Sequence, residues 1–431
     1  MLSLSNNISS TQAVEAKYSA DFDGTDDFID TGHHFSDVFN DSFSISLWVK
    51  PDDGQPSVSE YFFGINDNNE DIVRAELLTN GKVKFVIEGN NDTLSTETPN
   101  ETFINGGQNS VGFTHLLFVV TKSSGSANTT VDIYVNGVDT NNTFDSLSEA
   151  NHALFASSEN LVIGARNQAG TIKNFFSGKI DEFAIFNTAL GSDEPLAIYN
   201  NGSPFNLKIN QGNYNSSSAL QSYYKMGDGF FDDKTNGVVH DQDNPGFGNN
   251  LVVNADFSAN EAEDQANLNG GLQFDNWVEN QTSGLRKFEL TSDGEGIRCT
   301  IETASTNNFH QRIHQDVSSV LTVGDVYEFS VEVLCSLARN FQACIETTTG
   351  TGDQFDPDDV ALSANTRTLI KKFFICTETS NSGRPMVFHL FPLGDVLPSG
   401  EFYEVRNPSL KKLNGKPGLT SGGVTFSSDT P

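Results

Sequence analysis

The segment Phe43 to Pro51, FSISLWVKP, sets Phe43, Ile45, Leu47 and Val49 at alternate positions against Ser44, Ser46 and Lys50. Side chains on a strand point to opposite faces in turn, so a period of two predicts a strand with one apolar face. It excludes a helix, whose apolar residues recur every three or four. The same period returns along the chain. ELLTNGKVKFVIEG and TTVDIYVNGVDT each place Asn-Gly within or beside alternating runs, at Asn80-Gly81 and Asn136-Gly137. That pair suits the positive backbone angles of a type I′ hairpin turn. HLLFVVTK and NLVIGAR are nearly continuous apolar runs, which predicts inner strands covered on both faces. GSDEPLAIYNNG reads as one or two helical turns closed by Asn-Gly. The fold class these patterns predict is all-β.

A chain of 431 residues has room for two such domains. Residues 211–249 are rich in Gly, Asn, Ser and Asp around a short apolar-aromatic stretch at 220–226, which predicts a connector packed on its neighbours. Strand patterns resume in NLVVNADF, GIRCTIET, VYEFSVEVLC, FQACIETT, RTLIKKFFICT and PMVFHLF, defining a second β-domain over 250–413. The first domain then occupies 15–210, after an N-terminal arm at 1–14. Residues 414–431 are rich in Gly, Ser and Pro and predict an extended tail lying on a surface or a partner. The 25 Lys and Arg against 57 Asp and Glu give a formal charge of -32, which repels nucleic acid and phosphate-rich membrane surfaces. No run of 18 apolar residues is present, so membrane insertion is not expected. The N-terminal segment has neither the basic nor the apolar region of a secretory signal, so synthesis in a cytoplasm without a signal peptide is expected. Cys299, Cys335, Cys344 and Cys376 lack metal-ligand spacing and lie in or beside apolar runs, which predicts buried free thiols.

Taken in order, YSADFDGTDDFIDTG, FSISLWVKPD, THLLFVV, VDIYVNGV, LVIGAR and FFSGKIDEFAIFNTALGSDE resemble the laminin-G-like branch of the concanavalin A-like lectin and glucanase superfamily over about residues 15 to 205. The resemblance implies two antiparallel sheets packed in jelly-roll order. NLVVNADFS, IHQDVSSVLTVGDVYEFSVEV and FYEVRNPSLKKL are similar to the galactose-binding-like jelly rolls found among carbohydrate-binding modules. The two domains in this order, with YYKMGDGFFDD and VVHDQDNP between them, look like virion proteins of marine tailed phages. What this implies is a non-enzymatic phage structural protein exposed on the virion: a head decoration, fibre or tail appendage. Its partners would be other virion proteins, copies of itself (a trimer by fibre analogy) and host cell-surface polysaccharide. A carbohydrate-active enzyme or polysaccharide-binding accessory protein, and a bacterial adhesin, are the other classes in view.

Glucanases of this superfamily use a Glu-x-Asp-x-x-Glu strand whose two glutamates work across the glycosidic bond. No such motif occurs here, and Lys179-Ile180-Asp181-Glu182 lacks the first glutamate. His310 and His314 lie on a strand-like run, where four residues separate them by about 13 Å, too far to share a metal. The stretch ADFDGTDDFIDTG is dense in the hard oxygen ligands that calcium takes. The resemblance implies a structural calcium held by the side chain of Asp181, with Asp23 and Gly24 of the first strand opposite. In FYEVRNPSL, Arg406 stands where such modules usually carry an acidic ligand, with Asp256 as a candidate ion-pair partner. Sugar recognition relies on exposed Trp or Tyr rings beside polar loops, and Trp277, Tyr61, Tyr223 and Tyr224 are the candidate platforms.

Overall fold

The computed structural model describes residues 16–67, 72–89, 92–104, 112–122, 129–147, 157–262, 271–279, 286–304, 312–347, 360–381, 384–393 and 397–431. The expected arm at 1–14 and His310 lie outside these residues. Strands dominate, and the chain divides into two β-sandwich units. The first is built from the chain up to Gly246 together with Gly415–Pro431, and the second from Phe247–Asn414.

In the first unit one sheet runs, in spatial order, Val138–Asp139, Thr130–Val135, Thr114–Thr121, Phe43–Pro51, Ser177–Phe186, Ser19–Asp23 and Thr425–Ser427. The opposing sheet runs Thr143–Leu147, Asp92–Glu97, Val83–Gly89, Ile72–Leu77, Glu60–Asn66, Val162–Ile163, Phe28–Asp30, Gly418–Ser421 and Val238–Val239. Phe43, Ile45, Leu47 and Val49 all point into the core between the sheets, as the alternation predicts. Phe63 sits at the centre of an aromatic cluster, with its ring centroid 5.4 Å from Phe183 and 5.9 Å from Phe118. The Asn136-Gly137 turn takes the expected positive angles (φ 51° and 76°). At Asn80-Gly81 the positive φ falls on Gly81, at 79°, where its N–H donates to the Leu78 carbonyl.

The outer face of the first sheet is also covered. Ser44, Ser46 and Trp48 are buried, and Leu117, Val119, Ala184 and Phe186 form a second apolar layer with Leu190, Ile198, Phe205, Tyr214 and Tyr223 from residues 190–223. This cap explains why Leu116 to Val120 are apolar at every position: Leu116, Phe118 and Val120 face the main core, while Leu117 and Val119 face the cap. The cap is polar where it must be. Ser44 Oγ donates to the Thr188 carbonyl at 2.9 Å and accepts from Leu190 N–H at 3.0 Å, and Ser46 Oγ pairs with His115 Nε2 at 2.9 Å. The helix Glu194–Tyr199 crosses so closely over the 136–137 turn that a Cβ on Gly137 would lie 2.7 Å from the Leu196 Cα. Burial holds the His115 imidazole down to about 3, so it stays neutral.

Two expectations about organisation change. Of the expected connector 211–249, residues up to Gly246 are a working part of the first unit, where Leu220–Tyr224 pairs with Ser177–Phe186 and Val238–Val239 closes an edge of the second sheet, while Phe247–Asn250 pairs with Phe402–Leu413 in the second unit. The segment expected as an extended C-terminal tail returns to the first unit instead. Gly418–Ser421 pairs with Phe28–Asp30, and Thr425–Ser427 pairs with Ser19–Asp23. Backbone pairing needs no apolar side chain, so a Gly/Ser-rich stretch completes both sheets.

The second unit opposes a sheet of Arg286–Leu290, Gly296–Ile301, Phe402–Leu413, Val326–Cys335 and Thr368–Ile375 against one of Val278–Glu279, Ile313–Asp316, Arg384–Pro392, Arg339–Thr347 and Val360–Leu362. Phe329 and Phe388 meet across the interior at 4.5 Å. All four cysteines are free and buried, as expected. Arg406 does not reach Asp256, which instead accepts from Ser258 N–H and Oγ; it pairs with Asp293 at 2.6 Å and Glu295 at 3.3 Å.

Replacing Phe63 by Ala is expected to destabilise the first unit by about 3–5 kcal/mol, measured by urea unfolding. Deleting 415–431 is expected to lower the thermal transition of the first unit while that of the second, which ends at Asn414, stays in place.

Candidate functional site

The strand Ser19–Asp23 ends in a turn through Gly24, whose φ is 74°. Asp23 Oδ1 accepts from Thr25 N–H at 2.7 Å, and Asp27 Oδ2 accepts from Asp23 N–H at 3.0 Å. These bonds fold the loop so that Asp23, Asp26 and Asp27 each bring one carboxylate oxygen within 4.8 Å of the others. Asp181 is not among them. Asp23 lies opposite Ser177 in the ladder, so Asp181 is four residues further along its strand, about 13 Å away. The calcium set of Asp181, Asp23 and Gly24 is therefore not assembled, because strand register separates its members.

Asp181 faces a different environment. Against Phe43–Pro51 the register jumps between Asp181 and Ala184, a bulge that places Glu182 at φ 51°. Both carboxyls are buried. Asp181 Oδ1 accepts from Glu182 N–H at 2.8 Å, and Asp181 Oδ2 has no partner among the described residues. Glu182 accepts from the Tyr223 hydroxyl and lies 3.7 Å from Lys225 Nζ. Burial first, then the neighbouring Glu182 charge, raises Asp181 well above the carboxylate range. Burial likewise pushes Glu182 up to about 8, against the opposing pull of Lys225. This cluster clamps the strand Leu220–Tyr224 to the centre of the sheet and has no open face for a substrate.

The four candidate platform rings are all buried, so none can stack on a sugar. Tyr61 lies under the guanidinium groups of Arg166 and Arg74, 5.0 and 5.6 Å from its ring centre. Tyr223 donates to Glu182, and Tyr224 to the Lys416 carbonyl of the C-terminal return at 2.5 Å. Trp277 belongs to the core of the second unit and donates from Nε1 to the Asn254 carbonyl at 3.1 Å. His314 stacks on His389 at 5.4 Å, and burial lowers it to about 4.

Open polar surface is found instead on the cap. Two adjoining clefts of about 330 and 380 Å³ share Asp193 and Asn213. Asn200, Asn201 and Gln211 line one of them, beside Leu196, which is 58% exposed. Glu194 fixes the walls from below: its Oε2 accepts from Gly191 N–H at 2.7 Å and its Oε1 from Asn215 N–H at 2.9 Å. Left-handed backbone at Asn200 (φ 45°) and Asn201 (φ 56°) turns the chain at the helix end, where Asn200 Nδ2 donates to the Ser203 carbonyl at 2.8 Å and Asn201 is exposed. Amides and carboxylates around one apolar spot are suited to hydroxyl groups on a ring with an apolar face. Neither cleft is lined by Lys, Arg or His, so anionic ligands gain nothing from it. Sequence reading passed over these residues because NNG and QGN look like turn composition; their closeness to each other just after the short helix was the available signal.

Residues 23–194 match the Laminin_G_3 family model, of the concanavalin A-like lectin/glucanases superfamily. The first unit thus carries the lectin-like domain that its sequence resembles. No curated protein matches the chain. Among solved structures, the chain is similar to a native heptameric SAP-like pentraxin from Limulus polyphemus at 14% identity, over 48% of this chain and 91% of that one, with a TM-score of 0.31. A putative carbohydrate-binding protein from Bacteroides ovatus matches at 15% identity over 52% and 55% of the two chains, with a TM-score of 0.35. The Ruminococcus gnavus IT-sialidase CBM40 bound to α2,3-sialyllactose matches at 13% identity over 42% and 96%, with a TM-score of 0.34.

The buried acids give the first unit a definite pH dependence. A carboxyl whose folded pKa is raised binds its proton more tightly folded than unfolded, so its contribution is fully present below the ordinary value and is lost as pH rises through the folded one. For Glu182 that window runs from 4.5 to about 8. The urea midpoint of the first unit is expected to fall from pH 5 to pH 8, and Glu182→Gln to flatten that fall.

Proposed function

We propose that the protein is a non-enzymatic structural component of a phage virion whose lectin-like first unit contacts neutral glycans on the host surface. The observation that carries the glycan reading is the paired cap cleft, where Asp193, Asn200, Asn201, Gln211 and Asn213 surround Leu196 on a lectin-like domain. A formal charge of -32 selects against anionic polysaccharide and favours neutral hexose units. Open clefts of this kind bind single sugars weakly, and many copies on one particle turn weak contacts into useful avidity. The reading includes self-association, with a trimer as the expected state, and a surface position on the particle. The C-terminal return supports a structural role, since Thr425–Ser427 and Gly418–Ser421 cover the edges of Ser19–Asp23 and Phe28–Asp30.

The experiment is a glycan array with the full chain, followed by calorimetry on any neutral oligosaccharide that binds. Replacing Asn213 by Ala is expected to weaken binding about tenfold, the value of one or two hydrogen bonds to hydroxyls. Binding that persists unchanged in that variant, or binding confined to sialylated or sulfated glycans, removes the proposed site.

A further inference from the structure

We infer that the turn carrying Asp23, Asp26 and Asp27 binds a divalent cation of the calcium class, and that the cation fastens the C-terminal return to the first strand. Three carboxylate oxygens already stand within 4.8 Å of one another, a spacing that one ion can bridge. Asp27 is the residue that makes this more than a crowd of surface acids. It is only 2% exposed, and its Oδ1 is shielded from solvent with no hydrogen-bond donor among the described residues. Its Oδ2 receives a single N–H, from Asp23.

A buried carboxylate oxygen without a donor is costly unless a positive charge meets it. No ion pair reaches these three carboxylates among the described residues: Lys179 is engaged 3.4 Å from Asp21, and Lys50 2.6 Å from Asp429. Asp23 and Asp26 are exposed, so water can complete the six to eight oxygen ligands that calcium takes. Magnesium demands a tighter octahedron and releases its water reluctantly, so three carboxylates held on one turn suit the larger calcium ion better.

The link to the C-terminal return is geometric. Asp27 Oδ1 packs against Gly422 and Gly423, in the turn between Gly418–Ser421 and Thr425–Ser427. A Cβ on Gly422 would meet the Asp26 carbonyl and come within 2.7 Å of Asp27 Oδ1, and φ at Gly422 is 83°. The return thus lies directly against the orphan oxygen, and its backbone approaches so closely only because the residue there is glycine.

The test uses the full chain, stripped of metal by chelation and dialysis, followed by calorimetry and thermal unfolding in calcium chloride, magnesium chloride, and sodium chloride at equal ionic strength. One calcium ion per chain is expected, raising the first transition by about 5–10 °C at a hundredfold excess over Kd, with smaller shifts in magnesium and sodium. Asp27→Asn keeps the acceptor for Asp23 N–H and is expected to fold without metal and to lose the calcium-dependent shift. Should that variant fail to fold, the exposed Asp26→Asn carries the same comparison. A calcium shift no larger than that of sodium, or one that survives unchanged in the variant, overturns the site. Hydrogen exchange at 420–425 is expected to slow in calcium; exchange there that ignores calcium overturns the fastening.

Discussion

The first unit depends on how one strand, Ser177–Phe186, divides its edge. Its first half pairs with Ser19–Asp23 and its second half with Leu220–Tyr224, while Phe43–Pro51 runs along the other side. The bulge at Asp181 and Glu182 is the changeover point. One extra residue there restores the inward phase, so that Ile180 and then Phe183 and Ile185 all reach the core. The buried acids, Lys225 and Tyr223 lie at that joint. A polar cluster is tolerated in a sheet covered on both sides because the bulged backbone, with Glu182 in a left-handed conformation, leaves its groups unsatisfied by the ladder.

Much of this was legible. The alternation of FSISLWVKP gave the right inward face, and the continuous run HLLFVVTK correctly signalled cover on both sides. The identity of the cover was not legible, because it comes from residues 190–223, far along the chain from both covered strands. Ser44 and Ser46 read as solvent-facing, yet small hydroxyls are what allow a cap to approach a sheet and still hydrogen-bond to it. The Gly/Ser-rich terminus read as extended, and it is extended; composition does not say that the edges of Ser19–Asp23 and Phe28–Asp30 hold unpaired backbone groups waiting for it.

Site residues were less legible, for a physical reason. A motif fixes residue types, whereas register fixes distances, and Asp181 lost its place opposite Asp23 to Ser177 through register alone. The Asp-rich stretch does form a turn, and the members whose carboxylates converge there are Asp23, Asp26 and Asp27. Tyr and Trp are equally at home in a core and on a binding platform, and here Tyr61, Tyr223, Tyr224 and Trp277 all serve the interior. The amide-rich cleft escaped because Asn beside Gly is also what turns require.

The path of the chain imposes an order on its assembly. Because Phe247–Asn414 is interposed between two parts of the first unit, the second unit emerges whole from the ribosome while the first still lacks its final strands. Until the last seventeen residues are made, the edges of Ser19–Asp23 and Phe28–Asp30 stay open, and open edges invite pairing with other chains. Mutual repulsion between strongly negative chains keeps such nascent edges apart. The acidity of the protein is thus as much a property suited to its synthesis as to its finished surface.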